Sequence, residues 1–412
     1  MNIIGIIAEY NPFHNGHKYQ IEYARNTLGA DYVIIIMNGN FTQRGEAALI
    51  NKYVRTQMAL SGGADAVIEL PVLYGTGSAE FFAKGGIQLL NELGCVRSVC
   101  FGSETTDIRL LHSLTSTIIE EPLSYRDELT ALQKDGISYP RARMLALQKY
   151  HNQELPFLQK PNTILAIEYL KALKLSNSSI KAEPLQRMDS GYHSMELNEY
   201  SSATAIRHNY AKMGITTDLE HTLPSGTIEL LSKSYHRNAP MKTEFFYPYV
   251  QYNLVKPNAG IEDILDINND LSNRIFAKYK PELSYEEFVQ AILNKQYTRT
   301  RIQRCLIHIL LNIRGSEMEQ QISGNTMHYA RLLGFRKESS PLLREIRKHS
   351  SIPLLQKVAE GCSMFKYSDK AAYSLLRYDI AASDLYEQVC YQTYHNTMNN
   401  EYTHGVIIQD TL

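Results

Sequence analysis

The chain has no tryptophan and only five cysteines among 412 residues. Those at positions 95, 100, 305, 362 and 390 form no Cys-x-x-Cys pair. Neither a disulfide framework nor a four-cysteine zinc site is therefore expected, no metal-ligating cluster stands out, and a reducing cytoplasm is the default compartment. No run of 18 apolar residues occurs, so no membrane-spanning helix is expected. The opening MNIIGIIAEYNPF lacks a basic segment and reaches Glu9 after a short apolar run, unlike a signal peptide. Gly and Pro, 23 and 14, are too sparse for a collagen-like or low-complexity chain. Neither charge sign dominates: 42 Lys+Arg face 43 Asp+Glu, so RNA binding must rest on a local patch. No Gly-Lys pair exists, which excludes a Walker A loop, and there is no His-Glu-x-x-His. The Arg-x-x-Gly-x-Gly/Ala run of acetyl-CoA-dependent acetyltransferases is missing too.

What is present is an alternation of apolar runs and helical periodicity. NIIGIIA at 2–8 is short enough for a buried strand; a loop, a helix ending near Gly29 and the second apolar run YVIIIM follow. Strands apolar throughout are the mark of a parallel sheet covered on both faces. The alternation continues through AVIELP, VRSVCFGS and IKAEPLQR as strands, separated by helical segments. The expected fold is α/β, a Rossmann-like doubly wound parallel sheet over residues 1–235, with a helical insertion at 104–155. A mainly helical region is expected over 240–412, with helices at 260–268, 270–280, 284–294, 298–313, 338–348 and 369–388 and a short strand near the end.

The first strand leads into Asn11-Pro-Phe-His14-Asn-Gly16-His17 at a helix start. Ligands of open α/β sheets sit at the carboxyl edge of the strands. A helix N-terminus offers unpaired N–H groups and partial positive charge to an anion. Gly16 permits close approach of a phosphate to the backbone. His14 and His17 then aim donors at the charge of a phosphoryl-transfer transition state. The His-x-Gly-His pattern in this position resembles the nucleotidyltransferase superfamily. Two helix-capping histidines are the plainer alternative. A second signature of that superfamily, a Ser/Thr-rich helix start followed by Arg, is matched loosely by Ser201-Ser202-Ala203-Thr204-Ala205-Ile206-Arg207. Hydroxyls there cap the helix and bind phosphate, and Arg207 supplies charge-assisted bonds.

Longer motifs narrow the resemblance. Glu9 to His17 is followed by Asn38-Gly-Asn-Phe-Thr-Gln-Arg-Gly-Glu46, Gly63 to Pro71, Phe101-Gly-Ser-Glu104, Pro161-Asn162, Arg187-Met-Asp-Ser-Gly191 and Tyr329 to Phe335. In this order, over nearly the whole chain, they resemble the bacterial tRNA(Met) cytidine acetate ligases. That resemblance implies activation of acetate by ATP with Mg²⁺, then acetylation of N4 of the wobble cytidine of elongator tRNA(Met). It implies catalytic roles for His14, His17 and Arg207. It implies an ATP site at Ile7, Ala8, Glu9, Tyr10, Asn11, Pro12, Phe13, His14, Asn15, Gly16, His17, Lys18, Tyr19 and Gln20, with Gly102, Asn162 and Arg187. Ser201, Ser202 and Thr204 join that site through the second signature.

Other motifs admit two readings. Gln43 to Glu46 is either a substrate-holding loop or a structural Arg–Glu turn. Glu69 is a strand-end carboxylate near the site or, preferably, part of a turn. Gly102 receives a base or merely turns the chain; Asn162 caps a helix or touches ligand; Arg187 holds phosphate or pairs with Asp189. Residues 290–357 carry twelve Lys/Arg against Glu317, Glu319, Glu338 and Glu345, an excess of eight positive charges. Arg299, Arg301, Arg304, Lys337, Arg344, Arg347 and Lys348 are the expected RNA contacts, with Tyr297 and Tyr329 as stacking candidates; a solvated basic helix face is the alternative. Two rival functions share these motifs: a small-molecule adenylyltransferase, and a non-catalytic RNA-binding protein on the same fold.

Overall fold

The computed structural model describes residues 1–187, 199–257, 260–323 and 327–410. Its frame is one sheet of eight strands: β1 (Ile3–Ala8), β2 (Tyr32–Asn38), β3 (Ala66–Leu70), β4 (Ser98–Ser103), β5 (Lys181–Gln186), β6 (Ala330–Arg336), β7 (Leu354–Leu355) and β8 (Ile407–Gln409). They run in the order β5-β4-β1-β2-β3-β6-β7, with β8 paired to β6. Every pairing is parallel except that of β3 with β6. The apolar runs have a simple cause. Ile3 and Ile7 of β1 join one core while Ile4 and Ile6 join the other; Ile34 and Ile36 of β2 oppose Val33, Ile35 and Met37 in the same way. Both faces are covered, so both sides of each strand must be apolar.

The helices Asn15–Asn26, Lys52–Ser61 and Ala79–Glu92 follow the first three strands, and the chain then returns to place β4 on the far side of β1. That reversal opens a crevice at the carboxyl ends of β1 and β4, the usual ligand position in such sheets. Three helices, Ile108–Glu120, Leu123–Lys134 and Tyr139–His151, occupy most of 104–155.

Two departures from the sequence expectations concern the region after residue 240. It is not wholly separate from the first: β6, β7 and β8 all come from it and complete the sheet. The expected helix at 260–268 is a series of turns, in which Ile264 bridges to Arg314 and Asp266 adopts φ +68°. Asn268 closes the segment by capping the helix Asn269–Lys278. Three further helices, Tyr247–Val255, Gly315–Ser323 and Val358–Phe365, were not foreseen. No helix among the described residues is long and apolar enough to cross a membrane.

Candidate active site

The His14–His17 turn is held by its own side chains. Nδ1 of His14 accepts from the N–H of Gly16 at 3.1 Å, and Nδ1 of His17 accepts from the N–H of His14 at 3.3 Å. The two rings stack with centroids 3.7 Å apart. This is a capping box in which both members are histidine. Gly16 fits because a Cβ there would stand 3.0 Å from Cε1 of His14. Since each Nδ1 is an acceptor, each neutral ring carries its proton on Nε2 and presents it as a donor.

Burial, assisted by Arg187 and Arg207, pushes the His14 imidazole down to about 3. Burial, then His14 and Arg187, holds His17 well below the usual imidazole range. A depressed histidine favours the folded state above its unfolded value and loses that contribution as pH falls from about 6.5. In the nucleotide-free protein, the Hε1 and Cε1 resonances of both rings should therefore stay at their neutral positions from about pH 8 to pH 5. A titration near 6.5 for either ring in a ¹H–¹³C spectrum would contradict the assignment.

These rings open onto a cavity of about 440 Å³ at the carboxyl edge of the sheet. Of the expected site residues, Ile7, Ala8, Glu9, Tyr10, Asn11, His14, Gly16, His17, Tyr19, Gln20, Gly102, Asn162, Arg187, Ser202, Thr204 and Arg207 line it. Five do not. Pro12 and Phe13 lie outside the lining, and Phe13 is buried where a Cβ on Gly62 would meet its ring at 2.3 Å. Asn15 donates to the carbonyls of Glu199 and His221, Lys18 pairs with Glu22 at 3.7 Å in solvent, and Ser201 is buried. For Asn15 and Lys18 the reason is helical geometry: a helix start points only part of its side chains at the cavity.

The other wall is a relay. Glu104 accepts from Asn162 Nδ2 at 2.8 Å and Asn162 Oδ1 accepts from Arg187 at 3.1 Å, so the helix-start amide aims the guanidinium. A Cβ at Gly102 would stand 3.3 Å from Arg187 Cγ, so that glycine makes room for the arginine. Asp189, the rival partner of Arg187, lies outside the described residues. Ser202 caps the helix Ala203–Met213, accepting from Ala205 N–H. Arg207 reaches back from that helix to donate to the Asn11 carbonyl at 3.0 Å and to Glu46 at 3.2 Å. In the loop at 43–46, Glu46 pairs with Arg207, while Gln43 and Arg44 line the cavity. Glu69 is structural, bound to buried Lys52 and Arg331.

The basic segment divides. Arg304 and Thr300, on the helix Arg299–Leu311, line the cavity, and Arg304 is paired with Asp266 at 3.2 Å. Arg299 is paired with Glu286, and Arg301 donates to the Asp266 carbonyl and lies over the Tyr297 ring. Tyr297 and Tyr329 cannot stack on bases as exposed platforms: both are buried, with hydroxyls bonded to Asn268 and Asp379. Lys337 pairs with Asp410, and Arg344, Arg347 and Lys348 stand exposed on the helix Ser340–His349. That helix abuts the far end of Ala79–Glu92, where Ser351 N–H donates to the Glu92 carbonyl. Fourteen residues of helix, about 20 Å, separate it from the cavity. Arg304 is the cavity residue the sequence assigned elsewhere. Its signal was local charge, and only the packing of a distant helix distinguishes the two roles.

Comparison with known proteins places the chain in a family. The model of the HIGH Nucleotidyl Transferase family matches residues 1–402. A tRNA(Met) cytidine acetate ligase of Acetivibrio thermocellus is 38% identical over 418 residues, spanning 99% of this chain and all of its own. One from Thermoanaerobacter sp. (strain X514) is 41% identical over 94% of this chain and 95% of its own. Two crystal structures of Thermotoga maritima TmcAL, one bound with alpha-thio ATP and one apo, superpose over the full length of both chains at 28% identity, with TM-scores of 0.91 and 0.92. With the His14–His17 turn, the shared sheet and the full-length match in place, the chain belongs to the tRNA(Met) cytidine acetate ligases of the HIGH nucleotidyltransferase family.

Proposed function

We propose that the protein condenses ATP with acetate to acetyl-adenylate, releasing pyrophosphate, and transfers the acetyl group to N4 of the wobble cytidine of elongator tRNA(Met). The observation that carries the reading is the stacked pair of imidazoles whose Nε2–H donors face a cavity lined by Arg187 and Arg207. Neutral donors and guanidinium groups fixed in a site stabilise charge on phosphoryl oxygens without first surrendering a proton. The helix N-terminus at Asn15 adds its dipole. The α-phosphate is thereby made attackable by the acetate carboxylate, and AMP becomes the leaving group of the second step.

Among the described residues no group of three or more His, Cys, Asp or Glu could hold a metal ion. These residues form no cage for Mg²⁺ of their own; an ion brought by the nucleotide would supply neutralisation of the pyrophosphate charge. The reading puts the work in the cytoplasm, where ATP and tRNA meet. Residues 1–235 carry most of the ATP site in it and 240–412 the RNA grip, with Thr300 and Arg304 of the second region closing the cavity.

Incubation with ATP, labelled acetate and bulk tRNA tests the whole. Label in tRNA as N4-acetylcytidine is the expected result. A soluble nucleotide adduct would favour a small-molecule adenylyltransferase, and no ATP consumption would favour a non-catalytic RNA-binding protein.

For the RNA surface we expect Arg344, Arg347 and Lys348 to meet backbone phosphates. Reversing all three to Glu should weaken tRNA binding and flatten the dependence of log K on log salt by roughly one unit per lost contact. Acetate-dependent pyrophosphate exchange, which needs no tRNA, should persist. A wild-type salt slope in the triple variant would exclude this helix from the RNA surface.

A further inference from the structure

Acetyl transfer needs a group to receive the proton that the cytidine amine loses, and the cavity holds few candidates. The histidines are unsuited: each Nδ1 lone pair is engaged by a backbone N–H and each Nε2 already carries a proton. The arginines are cations. Among the described residues, Glu9 brings the only carboxylate that lines the cavity.

Glu9 is fixed from two sides. Its backbone carbonyl accepts from the fully buried Arg55 at 2.6 Å. Its Oε1 accepts from the N–H of Gln43 at 2.7 Å, while Oε2 has no hydrogen bond to the described residues. Gln43 belongs to a tight turn in which Gly45 N–H donates to Thr42 and Thr42 N–H to Glu46. A Cβ on Gly45 would stand 2.2 Å from the Arg304 backbone nitrogen, so the turn lies directly on the helix Arg299–Leu311. Gly45 also has φ +74°, a second reason for glycine. Glu9 thus faces the side of the cavity built after β2 and closed by Thr300 and Arg304. Gly102 and Arg187, at the ends of β4 and β5, and Asn162, at the start of the helix Pro161–Leu175, also line the cavity.

We propose that Glu9 is the general base of acetyl transfer, an inference that rests on the ligase reading above. Cytidine N4 attacks the acetyl carbonyl carbon and forms the C–N bond. The bond from that carbon to the phosphate oxygen breaks, and AMP leaves with the electron pair. The proton shed by N4 passes to Glu9 Oε2. The N4 lone pair is delocalised into the ring, so a carboxylate placed to take this proton lowers the barrier directly.

The test is Glu9→Gln, which keeps an acceptor for the Gln43 N–H and removes the basic oxygen. Acetate-dependent pyrophosphate exchange, single-turnover transfer from preformed acetyl-adenylate and tRNA affinity are measured on the same preparation of full-length protein. Transfer should fall at least about 10²-fold more than exchange, with tRNA affinity changed by less than about twofold. Glu9→Asp, which retains a carboxylate, should recover part of the transfer rate. Equal losses in exchange and transfer would overturn the proposal, because Glu9 would then serve adenylation. Wild-type transfer in Glu9→Gln, or a loss confined to tRNA affinity, would overturn it as well. If the unaltered protein performs exchange but labels no tRNA, the ligase reading fails instead, whatever the variant does.

Discussion

Replacing His17 by Asn should lower acetate-dependent pyrophosphate exchange by about 10²–10³, the usual cost of removing one preorganised donor from a developing oxyanion. Asparagine is chosen because its Oδ1 falls where Nδ1 of the imidazole lies. It can still accept from the His14 N–H, as the native ring does at 3.3 Å, so the helix cap survives. What it lacks is a group at the position of Nε2. Alanine would remove both, and a cap deletion by itself costs about 1 kcal/mol. Comparing His17→Asn with His17→Ala therefore separates the chemistry from the turn. The thermal midpoint should drop more in the alanine variant, while exchange should be lost about equally in the two. If His17→Asn exchanges at the native rate, the imidazole is only a cap, and the plainer reading of this motif was correct.

The second large effect lies away from the cavity. Lys52 Nζ sits 2.7 Å from Glu69 and 2.5 Å from Glu401; Arg331 is 2.9 Å from Glu69 and 3.0 Å from Glu401. Tyr53 donates to Glu401 at 2.6 Å. All four charged side chains are at most 5% exposed. Burial alone would raise the Glu401 carboxyl, but Lys52 and Arg331 outweigh it and hold the group well below the usual carboxylate range. Glu401→Ala leaves two buried cations facing one carboxylate. Breaking such a set by removing one partner costs about 3–5 kcal/mol. On the per-residue unfolding entropy that is a fall of roughly 4–6 °C in midpoint for a chain of this length.

Because the Glu401 pKa is depressed in the folded state, its contribution is present above about pH 4.3 and lost as pH falls below it. The penalty of Glu401→Ala should therefore shrink at acid pH. Calorimetry at pH 7.5 and at pH 4 checks both the size and the sign. The change should reach the active site too. The helix Lys52–Ser61, which carries Lys52, also carries Arg55, and Arg55 holds the carbonyl of Glu9. A midpoint within about 1 °C of wild type at pH 7.5 would mean that the network contributes no net stability.

The active-site turn was legible in the sequence because its determinants are local. An apolar run of six, two histidines three apart and a glycine between them specify strand, loop and cap within 15 residues. The same holds for the doubly wound sheet, since strands covered on both faces must be apolar on both. Helix signals after residue 260 were mostly sound for the same reason, and failed where capping Asn268 ended a run of turns rather than a helix. Which of the fourteen residues from Ile7 to Gln20 line the cavity could not be read, because that depends on the rotation of one helix against β4, fixed in part by Gln20 donating to the Cys100 carbonyl.

The fate of individual charges was decided only by the tertiary structure. Arg331, Arg304 and Arg344 are alike as letters in one basic segment. Arg331 is buried because Glu69, 262 positions earlier, and Glu401, 70 positions later, converge on it. Arg304 joins the cavity because the turn at Gly45 lies on its helix, and Arg344 stays in water because nothing covers it. Burying a charge is tolerated only when opposite charges arrive to meet it. Those partners come from strand pairing and tail placement across the whole chain. Local periodicity therefore determined the elements and the histidine turn, while long-range pairing decided which cations line the cavity, which hold the fold and which remain in solvent.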